Sequence, residues 1–133
     1  MLAGELRDVI ARMIRRLRAE GGFPLAQAGV LGRLDREGRL AIGELAAAER
    51  VRPQSMSQTV GELEAEGLVR RAPDPRDARR ILIELTAAGS DALRRERERR
   101  TGFLTQAIAE FSAEERRALA AAIELLRRLS ERA

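Results

Sequence analysis

The residues of this sequence best equipped for chemistry lie in two clusters. Arg52, Gln54, Ser55, Ser57 and Gln58 form one, and Arg76, Asp77, Arg79 and Arg80 form the other. Apart from Arg52 the first is uncharged, and its amides and hydroxyls donate and accept hydrogen bonds as the edges of nucleobases do. The second offers guanidinium groups, which suit phosphate oxygens and the negative potential of a narrow minor groove. Each cluster also has a plainer reading. The first could be an ordinary solvated helix face, and the second loop charge or an Asp77–Arg79 pair that only shapes a turn. The elements around them have to decide.

Composition removes most other chemistry. The chain has 133 residues, 44% hydrophobic and 35% charged, which fits one compact domain. It lacks Cys, His, Lys, Tyr and Trp, so thiolate nucleophiles, imidazole bases, Schiff-base amines and phenolic acids are all missing. The 21 acidic residues neither cluster for a hard metal ion nor come with sugar-stacking aromatics. Neither an enzyme, a cofactor nor a metal site is expected. No run of roughly 18 apolar residues and no signal-peptide-like start is present, so a cytoplasmic protein that does not engage a membrane is expected. Net charge is only +4, and the basic residues, all Arg, match what a GC-rich genome produces. Charge placement, not charge total, has to carry any case for nucleic acid.

The elements that would hold the clusters follow from periodicity. Leu6, Val9, Ile10, Met13, Ile14 and Leu17 recur at three and four residues, a helix stripe ended by Gly21-Gly22. Pro24 opens a second helix carrying Leu25, Ala28, Leu31 and Leu34 up to Gly38, although Gly29 and Gly32 weaken it. LAIGELAAAERV reads as a short helix with Ile42, Leu45 and Ala46 inward, and a tight connection follows at Arg50-Val51-Arg52. Pro53 then starts PQSMSQTVGELEAEG, which turns Met56, Val60 and Leu63 inward, Gln54, Ser57, Gln58 and Gly61 outward, and stops at Gly67. Two short helices and a tight turn, the second with a small, polar, uncharged outer face, make a helix-turn-helix.

LVRRA, PDPRDARR and ILIEL then predict a two-stranded hairpin with a long charged tip, Ile81, Ile83 and Leu85 alternating with Leu82 and Glu84. Arg70 to Arg80 hold five Arg against Asp74 and Asp77, a local surplus of three positive charges. This is a wing beside the helix-turn-helix. Asp77 is expected to orient Arg79, which enters a minor groove. Thr86 caps a long helix, and Ser112 to Glu115 is a capping box for a last one carrying Leu119, Ala122, Ile123, Leu126 and Leu129. Arg94, Arg95, Arg97, Arg99 and Arg100, interleaved with Glu96 and Glu98, read as a solvated helix face. Leu6, Ile10, Phe103, Ile108, Phe111, Ile123 and Leu126 exceed what one winged-helix unit can cover and are expected to bury against a second copy of the chain. Phe103 and Phe111 read as dimer core before ligand clamp.

The GELA segment at Gly43 to Ala46, the Pro-led helix ending LEAEGLV, the wing pattern DPRDARR and the turn at Leu85, Thr86 and Gly89 together resemble the MarR family of bacterial transcription regulators. The resemblance runs over nearly the whole chain. It implies a mainly α fold with a small β-hairpin wing, a winged helix-turn-helix lobe at 24–89, and dimerisation helices at 1–20 and 90–133 within a single domain. It further implies a homodimer on a pseudo-palindromic operator of duplex DNA, a repressor as the expected mode, recognition helices in successive major grooves and wing arginines at the minor groove. Relief by a small-molecule effector, through a crevice between arms and lobe, belongs to the same set of implications. Many members carry Arg where this chain has Gln58, which pairs more naturally with adenine, and a basic residue where it has Ala78. The other class of function open to the fold is a protein-interaction module without DNA contact, which would call for an acidic or apolar outer recognition face.

Overall fold

The computed structural model describes residues 1–132; Ala133, the last residue of the expected terminal arm, lies outside them. Six helices and one hairpin follow in the order α1 (Leu2–Gly21), α2 (Leu25–Glu37), α3 (Ile42–Glu49), α4 (Pro53–Ala65), β1 (Val69–Asp74), β2 (Asp77–Leu85), α5 (Ala87–Ala109) and α6 (Ala113–Ser130). The chain is mainly α with a small antiparallel wing, as the sequence leads one to expect. Two compact units emerge, 1–100 and 101–133, with the boundary inside α5. No helix among the described residues is long and apolar enough to cross a membrane.

In the first unit the core is built where α2, α3 and α4 meet the hairpin. Leu31, Leu45, Val60, Leu63 and Ile83 are fully buried, and Leu93 of α5 closes the same cluster. The inward residues of α4, Met56, Val60 and Leu63, are those the 3.6-residue period selects. On α2 the stripe is rotated from the expected one. Val30, Leu31 and Leu34 are buried, whereas Leu25 in the first turn is exposed and Ala28 only half-buried. Gln27 takes an inward place instead and donates Nε2 to Glu62 Oε2 of α4 at 2.9 Å, so its buried amide is satisfied. Gly29 does not break the helix, because it makes room: a Cβ there would overlap the Glu49 carboxylate, which reaches back to Arg33 at 2.7 Å and ties α3 to α2.

The wing differs most from expectation. Asp74 pairs with Asp77 across a two-residue turn at Pro75-Arg76, but the register shifts between Pro73 and Asp74, so Ala78, Arg79 and Arg80 of β2 have no ladder partner on β1 among the described residues. Asp74 Oδ1 accepts the Arg76 N–H at 2.9 Å, the local hydrogen bond that lets an Asp start so tight a turn. Strict alternation fails in β2: Leu82 and Ile83 are both buried and Ile81 is exposed. At its base the hairpin gains a third neighbour, Leu40, which exchanges backbone hydrogen bonds with Ile83 at 3.2 and 2.7 Å.

Thr86 joins hairpin to α5 by accepting the Gly89 N–H at 3.0 Å, as the predicted cap requires, while its hydroxyl donates to the Gly67 carbonyl at 2.6 Å. Gly89 is required by contact: a Cβ would overlap the Leu68 carbonyl.

In the second unit Ser112 and Glu115 form the predicted capping box, with reciprocal bonds of 2.8 and 3.0 Å. No residue of α6 is buried.

Candidate nucleic-acid interface

The helix-turn-helix is held by α3 packed on α4, with Arg50 in the left-handed region at φ 57° making the sharp exit from α3. Arg52 is the exposed N-cap residue of α4, and Pro53 occupies its first turn, where a missing N–H costs nothing. Gln54, Ser55, Ser57 and Gln58 are all exposed. Three of the four share one arrangement: Gln54 and Gln58 lie opposite the buried Met56–Val60–Leu63 stripe and Ser57 beside them. Ser55 lies on the other flank, along a groove with Leu25, Glu49 and Val51, and its carbonyl accepts the Thr59 hydroxyl at 3.1 Å.

Gly61 extends the Gln54–Gln58 face by one turn, and a Cβ there would meet no atom of the protein within 4 Å. Nothing internal calls for glycine. Gly61→Ala is therefore expected to stabilise the fold by roughly 0.5–1 kcal/mol, the helix-interior cost of glycine. Urea unfolding of the variant checks it, and a destabilised protein would reveal packing on that face.

The wing arginines separate into two kinds. Arg79 on β2 has a side chain 94% exposed and, among the described residues, pairs only with Asp77, whose Oδ1 accepts its backbone N–H at 3.1 Å and faces its Nε at 3.4 Å. Arg76, at the tip, is exposed as well. Arg80 is instead bound to Glu44 of α3 and lies 3.6 Å from Asp74. Arg70 donates to Glu84 at 2.6 Å and Arg71 to Glu64 at 3.1 Å. The positive surplus counted along the sequence is thus largely matched by Glu44, Glu64 and Glu84, which arrive from α3, α4 and the far end of β2. No local signal marks these partners, since the spacings run from 7 to 36 residues.

These pairings set the acid response. The Ala41 N–H and then Arg80 hold the Glu44 carboxyl below its ordinary value of 4.5. Arg70, and less strongly Arg39, lower Glu84, and the Ser112 backbone N–H lowers Glu115. A carboxyl lowered by folding contributes stability that is complete above its unfolded value and lost as pH falls through the folded one. Stability should therefore hold from pH 7 to about 5 and fall below the ordinary carboxylate value. Urea midpoints measured down to pH 3 would show it; a midpoint flat to that limit would contradict the role of these three groups.

On α5 the expected solvated face is interrupted. Glu96 is fully buried against Gly21, paired with Arg100 at 2.7 Å, and Arg99 donates twice to the Gly21 carbonyl, at 3.1 and 2.7 Å. Arg97 reaches Asp35 at 3.0 Å, while Arg94 stays on the surface with Asp91 and Glu98. Of the apolar residues expected to meet a second copy, Ile10, Phe111, Ile123 and Leu126 are exposed. Leu6, Phe103 and Ile108 are half-buried. Among the described residues no group of three or more acidic side chains comes together to hold a metal.

Residues 21–80, from the end of α1 into β2 of the wing, match the model of the MarR family. An uncharacterized HTH-type transcriptional regulator of Mycobacterium bovis is 34% identical over 128 residues, 94% of this chain and 90% of that protein. A solved Pseudomonas aeruginosa protein is 35% identical and superposes with a TM-score of 0.87 over 99% of this chain and 96% of its own. S. aureus MepR, solved as a mutant bound to an oligodeoxyribonucleotide, shares the fold, with a TM-score of 0.73 at 21% identity over 97% of this chain and 98% of that one. With the family model matched over 21–80 and identity of 34–35% to regulators over nearly the whole length, the chain belongs to the MarR family of winged helix-turn-helix transcriptional regulators.

Proposed function

We propose that this protein is a cytoplasmic, homodimeric repressor that reads a pseudo-palindromic operator with α4 in the major groove and Arg79 in the minor groove. The observation that carries the reading is the polar, uncharged outer face of α4 beside a wing arginine whose guanidinium is almost wholly exposed. Gln54, Ser57 and Gln58 face the base edges, with Gln58 suited to adenine, and Arg52 and Arg76 are placed for phosphates. DNA bound to S. aureus MepR, a protein of the same fold, is consistent with this use of the lobe. A protein-docking surface would favour apolar or acidic residues on α4, and its outer face has neither kind at Gln54, Ser57 or Gln58.

Two copies are required because one helix and one wing span too few base pairs. The exposed stripes Val9, Ile10, Met13 and Ile14 of α1 and Ile123, Leu126 and Leu129 of α6 are the surfaces offered for that association. Binding is open to relief by a small-molecule effector. Footprinting on the DNA flanking the protein's own gene tests the proposal. Two protected half-sites about one helical turn apart, roughly 10 bp centre to centre, and an affinity falling linearly with log salt are expected. A salt-independent interaction, or a monomer by sedimentation at micromolar concentration, would refute it.

A further inference from the structure

We propose that Arg80 is a positioning residue of the wing and not a DNA ligand: clamped between Glu44 of α3 and Asp74 of β1, it fixes the angle from which Arg79 reaches the duplex. The inference rests on the DNA-binding reading above. Arg79 and Arg80, adjacent in sequence, lie where the register of β2 on β1 shifts, and their side chains meet different surroundings. Arg79 finds solvent. Arg80, with a side chain 44% exposed, finds two carboxylates.

Both carboxylates are themselves fixed. Glu44 Oε1 accepts the Ala41 N–H at 2.9 Å, which anchors it to the start of α3, and Asp74, 16% exposed, holds the turn through the Arg76 N–H. A guanidinium already facing two carboxylates is locally neutralised and gains less from a phosphate than a free one does. What the clamp supplies is a second attachment point. The hairpin is joined to the lobe at its base by Leu40 and Ile83, and a two-stranded ribbon beyond such a point has little stiffness of its own. Arg80 lies three residues from Ile83 toward the tip and reaches across to α3, so base and tip are both held.

The test uses the dimer and the duplex found by footprinting. Glu44→Gln keeps an acceptor for the α3 cap and removes only the charge. Glu44→Gln and Arg80→Ala should each weaken operator binding about two- to fivefold, the range of an exposed ion pair, with the double variant no worse than either. The salt slope should stay unchanged in all three. A phosphate ligand would behave oppositely: Glu44→Gln would free Arg80 and tighten binding, and Arg80→Ala would reduce the slope by about one. Either result overturns the proposal while leaving the regulator reading intact, whereas a wild-type protein that binds no duplex removes the regulator reading. The clamp is also read without DNA. Amide hydrogen exchange at Arg76 and Arg79 should quicken in Glu44→Gln, and unchanged rates in the wing would sink it.

Discussion

Arg100→Met should cost the fold about 3–5 kcal/mol, the usual consequence of stripping one partner from a buried ion pair. Glu96 is wholly removed from solvent, and one of its oxygens, Oε2, has no hydrogen-bond partner among the described residues. Its other oxygen depends on Arg100 at 2.7 Å. Without the guanidinium the carboxyl would be left buried and unpaired, pressed against Gly21, where even a Cβ would come within 2.6 Å of Oε1. The pair is a joint and not a source of net stability, so replacing both members by apolar residues should be neutral or stabilising. Glu96→Met with Arg100→Met is therefore expected to recover most of the loss. Urea unfolding of the two variants at one fixed protein concentration decides the matter, since any association would otherwise shift the midpoints. A loss below about 1 kcal/mol for Arg100→Met would mean that water reaches Glu96 and that the pair behaves as a surface one.

That pair also marks the limit of what the sequence discloses. Arg94 to Arg100 alternate with Glu96 and Glu98 in a pattern that suits a solvated helix face, and Arg94 behaves so. Glu96 does not, because the glycine at position 21 opens a space beside it that only the tertiary fold reveals. Local signals with a local cause were readable. Pro53 begins α4, Thr86 caps α5, and Ser112 with Glu115 starts α6, each through contacts within three residues. The apolar stripe of α4 was readable for the same reason, since one helix period fixes it. Long-range pairing was not. The wing's surplus of arginine disappears into Glu44, Glu64 and Glu84, and the tip closes at Asp74 and Asp77 with a shift of register behind it. Leu25, in phase with its helix, is exposed because the core begins a turn later and Gln27 claims the inward position to meet Glu62. Of the candidate site, residue types and faces were legible; which arginines are free to leave the protein was not.

Arg79→Ala should weaken operator binding by about 1–3 kcal/mol, if its minor-groove contact is worth as much as a good base-edge pair, and leave melting nearly unchanged. The stability half follows from its surroundings. With a side chain 94% exposed and one long contact to Asp77, Arg79 packs against no core, and an exposed pair of this kind is worth about 0–1 kcal/mol. The affinity half follows from freedom: Arg70, Arg71 and Arg80 are held by carboxylates of other elements, while Arg79 meets only its neighbour two residues back. Asp77→Ala should do part of the same damage, because Asp77 also accepts the Arg79 backbone N–H and so shapes the strand that presents it. Arg79→Lys should rescue only partly, since a compact, strongly hydrated ammonium gives up its water less readily in a narrow groove than guanidinium does. Affinity and melting must be measured on the same Arg79→Ala protein. Full affinity at normal stability would leave Arg79 a surface residue of the hairpin and return the reading of sequence to α4 alone.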